Sequence, residues 1–241
     1  MQVSIVIAIL NSHKVVVRQI RHFKIMKLPN DVEIILVDDG SNPPILYTAE
    51  STGLKNLMVL ATHDKRPWTQ GLARNLGASH ATGKYLFVTD IDHIITREAI
   101  EAVRNFEGDL MVFPRYYGIL DRYGNLLNDW KTMMEFGARP RNRMSGGYHM
   151  NTFAMKKSIF DSIGGYDRKH CERMFHVGGR FTSEEGALFS KYRRIARGGQ
   201  AVAGPATYFY PTGQFRVDGN HNPFGLFHTL SLEPVAQPMM E

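Results

Sequence analysis

The sequence predicts an α/β fold, a mostly parallel central sheet flanked by helices. Three observations lead there. Apolar runs of strand length alternate with helix-period segments through the first half of the chain. These runs are apolar at nearly every position, the pattern of strands covered on both faces. Two of them, "VEIILVDD" and "KYLFVTD", end in acids, at the strand end where open α/β sheets bind ligands.

"VSIVIAIL" (3–10) reads as the first buried strand. In "NSHKVVVRQIRHFKIMKL", Asn11 or Ser12 is the N-cap of a helix with Val16, Ile20 and Phe23 at helical spacing. "VEIILVDD" (32–39) and "LMVLATH" (57–63) are the second and third strands. "WTQGLARNLGASHATG" follows as a helix with Leu72 and Leu76 on one face, closed by Gly83; Gly71, Gly77 and Gly83 permit close packing. "KYLFVTD" is the fourth strand, "TREAIEAVRNF" a helix starting near Thr96, and "DLMVFPRYY" (109–117) a fifth strand. The second half is less regular. "ILDRYGNLLNDW" suggests a turn around Gly124, and "SGGYHMNTFAMKKSIFDSIGGYD" a glycine-rich approach, a short strand and a helix that Gly164 and Gly165 end. "SEEGALFSKYRRIA" is a helix capped by Ser183 with Leu188, Tyr192 and Ile195 toward the core, and "QAVAGPATYFYP" a late strand.

The 241 residues, 43% hydrophobic and 22% charged, suit a globular protein, and no apolar run approaches the roughly 18 residues of a membrane span. "MQVSIVIAILNSHK" reads as a strand, not a signal peptide. The single cysteine, Cys171, excludes an internal disulfide and fits a reducing compartment, so a cytoplasmic protein is expected, with a peripheral membrane position compatible. A net charge of +6 favours anionic partners: nucleotides, nucleic acid or anionic lipid. The basic groups cluster in "RPRNR" (139–143), "RKHCER" (168–173) and "KYRRIAR" (191–197), for each of which a solvated face is the plainer reading.

Asp90 and Asp92 stand one residue apart at a strand end. Such carboxylates repel each other unless a cation lies between them; the plainer alternative is a turn or cap acid before "TREAIEAV". Taken in order, "LVDDGS", "GLARNLGASHATGKY" and "VTDIDH" resemble the family 2 glycosyltransferases, which have the GT-A nucleotide-sugar fold, from roughly Val3 to Tyr192. No G-x-G-x-x-G or G-x-x-x-x-G-K-[ST] is present, which removes the main support for a dinucleotide or P-loop site.

The resemblance implies a single Rossmann-like, nucleotide-sugar-binding domain over 1–217, with 1–110 as the nucleotide-sugar half and 111–217 as the acceptor half. A partly disordered C-terminal segment, 218–241, would follow. It implies a metal-dependent, inverting transferase, hexosyl- or related, with a UDP-sugar favoured as donor. In that scheme Asp39, with Asp38 beside it, contacts base and ribose, and Ala8 and Ile9 border the base where the family often has Pro-Thr. Arg74, in a match to Ala-Arg-Asn-x-Gly, approaches base or diphosphate, although a surface arginine is an equal reading. Asp90 and Asp92 match the D-x-D motif: Asp92 binds Mn²⁺ or Mg²⁺ directly, and Asp90 holds the ribose or a metal-bound water. His93 is either a further ligand or a packed histidine. From the C-terminal segment, His221 in "DGNHN" is preferred over His228 as an added ligand.

"IGGYDRKH" and then "FTSEEGALF" occupy the place of the family's second signature, an acidic pair usually written Glu-Asp. Register makes Glu185 the base that deprotonates the acceptor and Glu184 a contact to acceptor or sugar, an order that the longer Glu-Glu pair leaves reversible. First-turn acids favoured by the helix dipole are the alternative. Trp68, Trp130, Tyr148 and Phe153 either stack on a sugar or base or belong to the core. His170, Cys171 and His176 in "HCERMFH" fit no standard zinc spacing. The acceptor is expected to be a hydroxyl on a glycan, a lipid-linked sugar, a protein or a modified nucleic-acid base. A non-catalytic GT-A-like protein that binds a nucleotide sugar or glycan is the rival from another class; a nucleotidyltransferase would need a glycine-rich loop that "AILNSHKV" lacks.

Overall fold

Four parallel strands form one half of the sheet: β1 (Val3–Ile9), β2 (Val32–Asp38), β3 (Leu57–Ala61) and β4 (Tyr85–Asp90), in the order β3-β2-β1-β4. The computed structural model describes residues 1–64, 69–135, 147–174, 184–196 and 200–210. Every residue of β1, β2 and β4 is buried, because helices cover both faces, as the uninterrupted apolar runs predict. One apolar cluster joins Ile5, Ile7 and Phe87 to Phe23 of α1 (His13–Met26) and Ile100 of α4 (Arg97–Arg104). The other joins Val6, Val37 and Val88 to Ala73 of α3 (Gln70–His80) and Leu188 of α8 (Glu184–Ile195). Between these lie the short α2 (Ala49–Thr52), α5 (Trp130–Glu135), α6 (Lys157–Ser162) and α7 (Arg168–Met174).

Local signals set several boundaries. Ser12 is the N-cap residue of α1, although its hydroxyl bonds Leu10 O rather than the helix. Thr96 caps α4, its Oγ1 accepting from Ala99 N at 3.2 Å. Gly124, with φ +93°, turns the hairpin of β7 (Ile119–Leu120) and β8 (Leu126–Leu127).

The expected role of Gly83 as helix terminator is corrected. The helix α3 ends at His80 with Ala81 as cap, and a Cβ at position 83 would fall 2.6 Å from Ser4 N. Glycine there lets the chain pass against β1.

The second half enters the same sheet. The "short strand" predicted near 150 is β9 (Gly147–Lys156), ten residues long and antiparallel to both β4 and β6 (Leu110–Tyr117), between which it lies. Polar residues at its start disguised its length. The expected late strand splits into β10 (Val202–Ala203) and β11 (Thr207–Phe209), both parallel to β6; Pro205, between them, has no N–H for a ladder bond. The short β5 (His93–Ile94) pairs antiparallel with β11 and ends the order β3-β2-β1-β4-β9-β6-β11-β5.

Among the described residues no helix is long and apolar enough to cross a membrane. Trp68, the 139–143 basic cluster, His176, Ser183, Arg197, His221, His228 and the whole 218–241 segment lie outside the described residues.

Candidate active site

Register brings the acids together. The first strand, β1, lies between β2 and β4, with Ile9 level with Asp38 and Ala8 level with Asp90, so both acidic strand ends emerge at one edge. The Asp38 carboxylate accepts from Ser41 N and Ile45 N, each at 2.9 Å, and closes the "DDGSNPPI" turn. Asp39 accepts from Thr62 Oγ1 at 3.1 Å and Thr69 Oγ1 at 2.6 Å; burial pushes its pKa up to about 6 against these two bonds. Gln70, the residue after Thr69, donates to Asp90 Oδ1 at 2.5 Å. The start of α3 thus ties both strand tips to one wall.

Arg74, one turn further along α3, is fully buried rather than on the surface. Its Nη2 donates to Asp90 Oδ1 and its Nη1 to Glu185 Oε1, with the Tyr166 hydroxyl 3.2 Å from Nη1. Burial alone would lower the pKa of this guanidinium, yet Tyr166, Asp90 and Glu185 hold it well above the ordinary value. Asn75 clamps the backbone of Tyr166 in both directions, donating to its O and accepting from its N, each at 2.9 Å. Gly165, φ +57°, lies so close that a Cβ there would fall 2.5 Å from Asn75 Oδ1. Hence the "ARN" and "GGYD" segments, 90 residues apart in sequence, dock as one unit.

The acidic pair opens α8. Both Glu184 and Glu185 are buried. Glu184 turns toward α3 and α7, where a Cβ on Gly71 would fall 2.6 Å from its Oε2 and 2.7 Å from Cys171 Sγ. Burial pushes the Glu184 pKa up to about 7, with Arg74 opposing and Glu185 reinforcing the rise. Burial and the neighbouring acids push the Cys171 thiol up as well, so it is held protonated, not poised as a nucleophile.

Beyond β4, ligand atoms of Asp90, Asp92 and His93 all lie within 4.8 Å of one another. Two carboxylates at that spacing fit a hard divalent cation, with the imidazole beside them. Arg115 of β6 donates to His93 Nε2 at 3.2 Å. A guanidinium can only donate, so Nε2 accepts and Nδ1 carries the hydrogen directed at Asp92 Oδ1, 3.1 Å away. The ring therefore orients Asp92 and leaves Nδ1 no lone pair for a metal. Burial would raise the Asp92 pKa, but His93 and Arg115 hold it below the usual carboxylate range. Asp90 is more heavily engaged, by Gln70, Arg74 and, on Oδ2, Asn151 Nδ2 at 2.6 Å. Buried Gln19 of α1 fixes the loop backbone, donating to Ile91 O at 3.1 Å and His93 O at 2.6 Å.

The structure thus gathers Ala8, Asp39, Arg74, Asp90, Asp92, Glu184 and Glu185 around one edge, while the Asp38 carboxylate is spent on a turn. Phe153 is core, packed edge-on against Phe189; Trp130 and Tyr148 are exposed. Sequence reading missed Gln19, Gln70, Arg115 and Asn151. Of these only Gln70 carried a usable signal, four residues before Arg74 and so on the same helix face.

Strand-tip acids, a buried arginine and a helix-start acidic pair on a mostly parallel sheet define a GT-A glycosyltransferase fold. The profile of Glycosyl transferase family 2 matches residues 4–164, and the chain belongs to that family. Glycosyltransferase GlyG of Streptococcus pneumoniae is 26% identical over 179 residues, covering 67% of this chain and 58% of that relative. S. aureus TarS, residues 1–349, superposes with a TM-score of 0.54 at 13% identity, covering 87% of this chain and 60% of its own; a complex of the same protein with UDP gives 0.53. The mannosyltransferase PcManGT from Pyrobaculum calidifontis, in complex with GDP-Man and Mn²⁺, gives 0.51 at 15% identity, covering 86% and 56%. At these identities the structural likeness is one of fold. The chain spans less than two thirds of the length of each of these relatives.

Proposed function

We propose that this chain is a metal-dependent, inverting glycosyltransferase that moves a sugar from a UDP-sugar to an acceptor hydroxyl. The observation that carries the reading is the convergence of Asp39, Asp90, Asp92 and Glu185 at one sheet edge, with Arg74 joining Asp90 to Glu185. Family membership supports the reaction class, and the UDP complex of TarS supports the choice of nucleotide.

Asp39, at the tip of β2, takes base and ribose. Asp90, held by three donors, is oriented toward ribose or a metal-bound water, and Asp92, steered by His93, is the direct ligand of Mn²⁺ or Mg²⁺. When bound, that cation neutralises the charge that gathers on the departing nucleoside diphosphate. Glu185 accepts the proton of the acceptor hydroxyl as it attacks the anomeric carbon from the face opposite the leaving group. Arg74 fixes where its carboxylate sits relative to the donor side. Residues 1–110 would then serve the donor and 111–217 the acceptor. A cytoplasmic setting fits the single buried thiol.

The test is incubation with Mn²⁺ and a panel of nucleotide sugars, reading nucleoside diphosphate release. Release that Asp92→Ala and Glu185→Gln both abolish, with the folded state intact, is the expected result. Pyrophosphate release would indicate nucleotidyl transfer instead, and tight donor binding without either product would indicate a binding module.

A further inference from the structure

The strand β9 carries a bulge beside the acids. Its five steps from Tyr148 to Phe153 stand against only two on β6, from Val112 to Pro114, and its pairing with β4 covers Phe153 to Lys156 alone. Residues 149–152 therefore leave both ladders. A bulge frees backbone N–H groups and re-aims side chains, and here both effects act on the site. The side-chain amide of Asn151 reaches Asp90 Oδ2 at 2.6 Å, while its backbone N–H donates to Nδ1 of His149 at 3.3 Å.

That second bond fixes the imidazole. With Nδ1 accepting, the ring is neutral and its hydrogen sits on Nε2. Burial, Arg115 and His93 hold the His149 pKa below the ordinary 6.5, against the opposing pull of Asp90 and Glu185. Nε2 has no hydrogen-bond partner among the described residues, and on this half-buried side chain it is open to solvent. The ring lies 29° from the plane of His93, centroids 6.3 Å apart, and His93 is the ring that orients Asp92. His149 thus stands between the strand-tip acids and Glu185. On the glycosyltransferase reading, the sugar in transfer lies there, with the departing diphosphate on one side and the incoming hydroxyl on the other. A neutral N–H supplies direction without charge, which suits a hydroxyl or amide oxygen of that sugar; a diphosphate calls for a cation.

We propose that His149 is a contact to the donor sugar, its Nε2–H held by the β9 bulge so as to hydrogen-bond an oxygen of the ring being transferred. The inference rests on the glycosyltransferase reading and adds to it a residue that selects the sugar independently of the nucleotide.

The full chain with Mn²⁺ is titrated by calorimetry with UDP, UDP-glucose, UDP-galactose and UDP-N-acetylglucosamine. His149→Phe and His149→Ala remove both nitrogens, the first keeping a ring and the second leaving space, while His149→Gln returns an N–H near the Nε2 position. The nucleotide sugar that the parent binds best should bind the Phe and Ala variants about tenfold more weakly and the Gln variant within about threefold of the parent. UDP, which lacks the sugar, should bind all four proteins alike. Unchanged nucleotide-sugar affinity in the Phe and Ala variants would show that the ring touches no sugar atom. An equal loss for UDP in both would assign the ring to the diphosphate or to the support of Asp92, and either result overturns the contact. A parent that binds neither UDP nor any nucleotide sugar refutes the glycosyltransferase reading itself, and this inference with it.

Discussion

Glu184 lets the electrostatics of the site be read as stability. Its carboxyl is buried against Gly71 and Cys171, and burial raises its pKa from the ordinary 4.5 to about 7. The folded chain therefore keeps a proton that the unfolded chain has released. The stabilisation is complete below pH 4.5 and is lost as pH rises through about 7. The gap from 4.5 to about 7, at about 1.36 kcal/mol per pH unit, amounts to about 3 kcal/mol. Glutamine has nearly the same shape and does not ionise, so Glu184→Gln should flatten the pH dependence of unfolding by that amount. Urea unfolding of parent and variant from pH 4 to pH 8 measures it: the curves lie closest at low pH and separate in favour of the variant toward pH 8. Asp39, whose raised pKa of about 6 acts in the same direction, is present in both and cancels. A difference between the two proteins that stays constant with pH would refute the burial argument.

Arg74→Met leaves Asp90 and Glu185 buried without their shared cation, which should cost about 3–5 kcal/mol in urea unfolding. Adding Glu185→Gln to that variant should recover part of the loss, and strict additivity would show that the two side chains do not interact. At Gly83 an added methyl meets backbone rather than a flexible side chain, so Gly83→Ala should lower stability by about 1–3 kcal/mol and the thermal midpoint with it.

Much of the first half was legible because its physics is local. Strands β1, β2 and β4 announce themselves as unbroken apolar runs, and the spacing of Val16, Ile20 and Phe23 gives α1 its buried face. The acids could be placed because a strand tip in a parallel sheet faces the crevice. The position of Arg74 could not: a lone arginine on a helix looks exposed, and its burial depends on Asp90 and Glu185 arriving from 16 and 111 residues away. The same holds for His93, whose tautomer is set by Arg115 from a strand that the local sequence does not mention. Glycine roles were half visible; the need for glycine at 83 comes from the passage of β1, not from the end of its own helix.

The antiparallel β9 has a consequence for how the chain assembles. It is the only described link between β4 and β6, so the four N-terminal strands do not complete their hydrogen bonding until a segment more than 60 residues downstream of β4 has arrived. A fragment cut after residue 110 would expose the whole rim of β4 as a sticky template for other chains. Such long-range closure slows folding and couples the two halves in one cooperative transition, so loosening the second half must also loosen the acidic strand tips of the first.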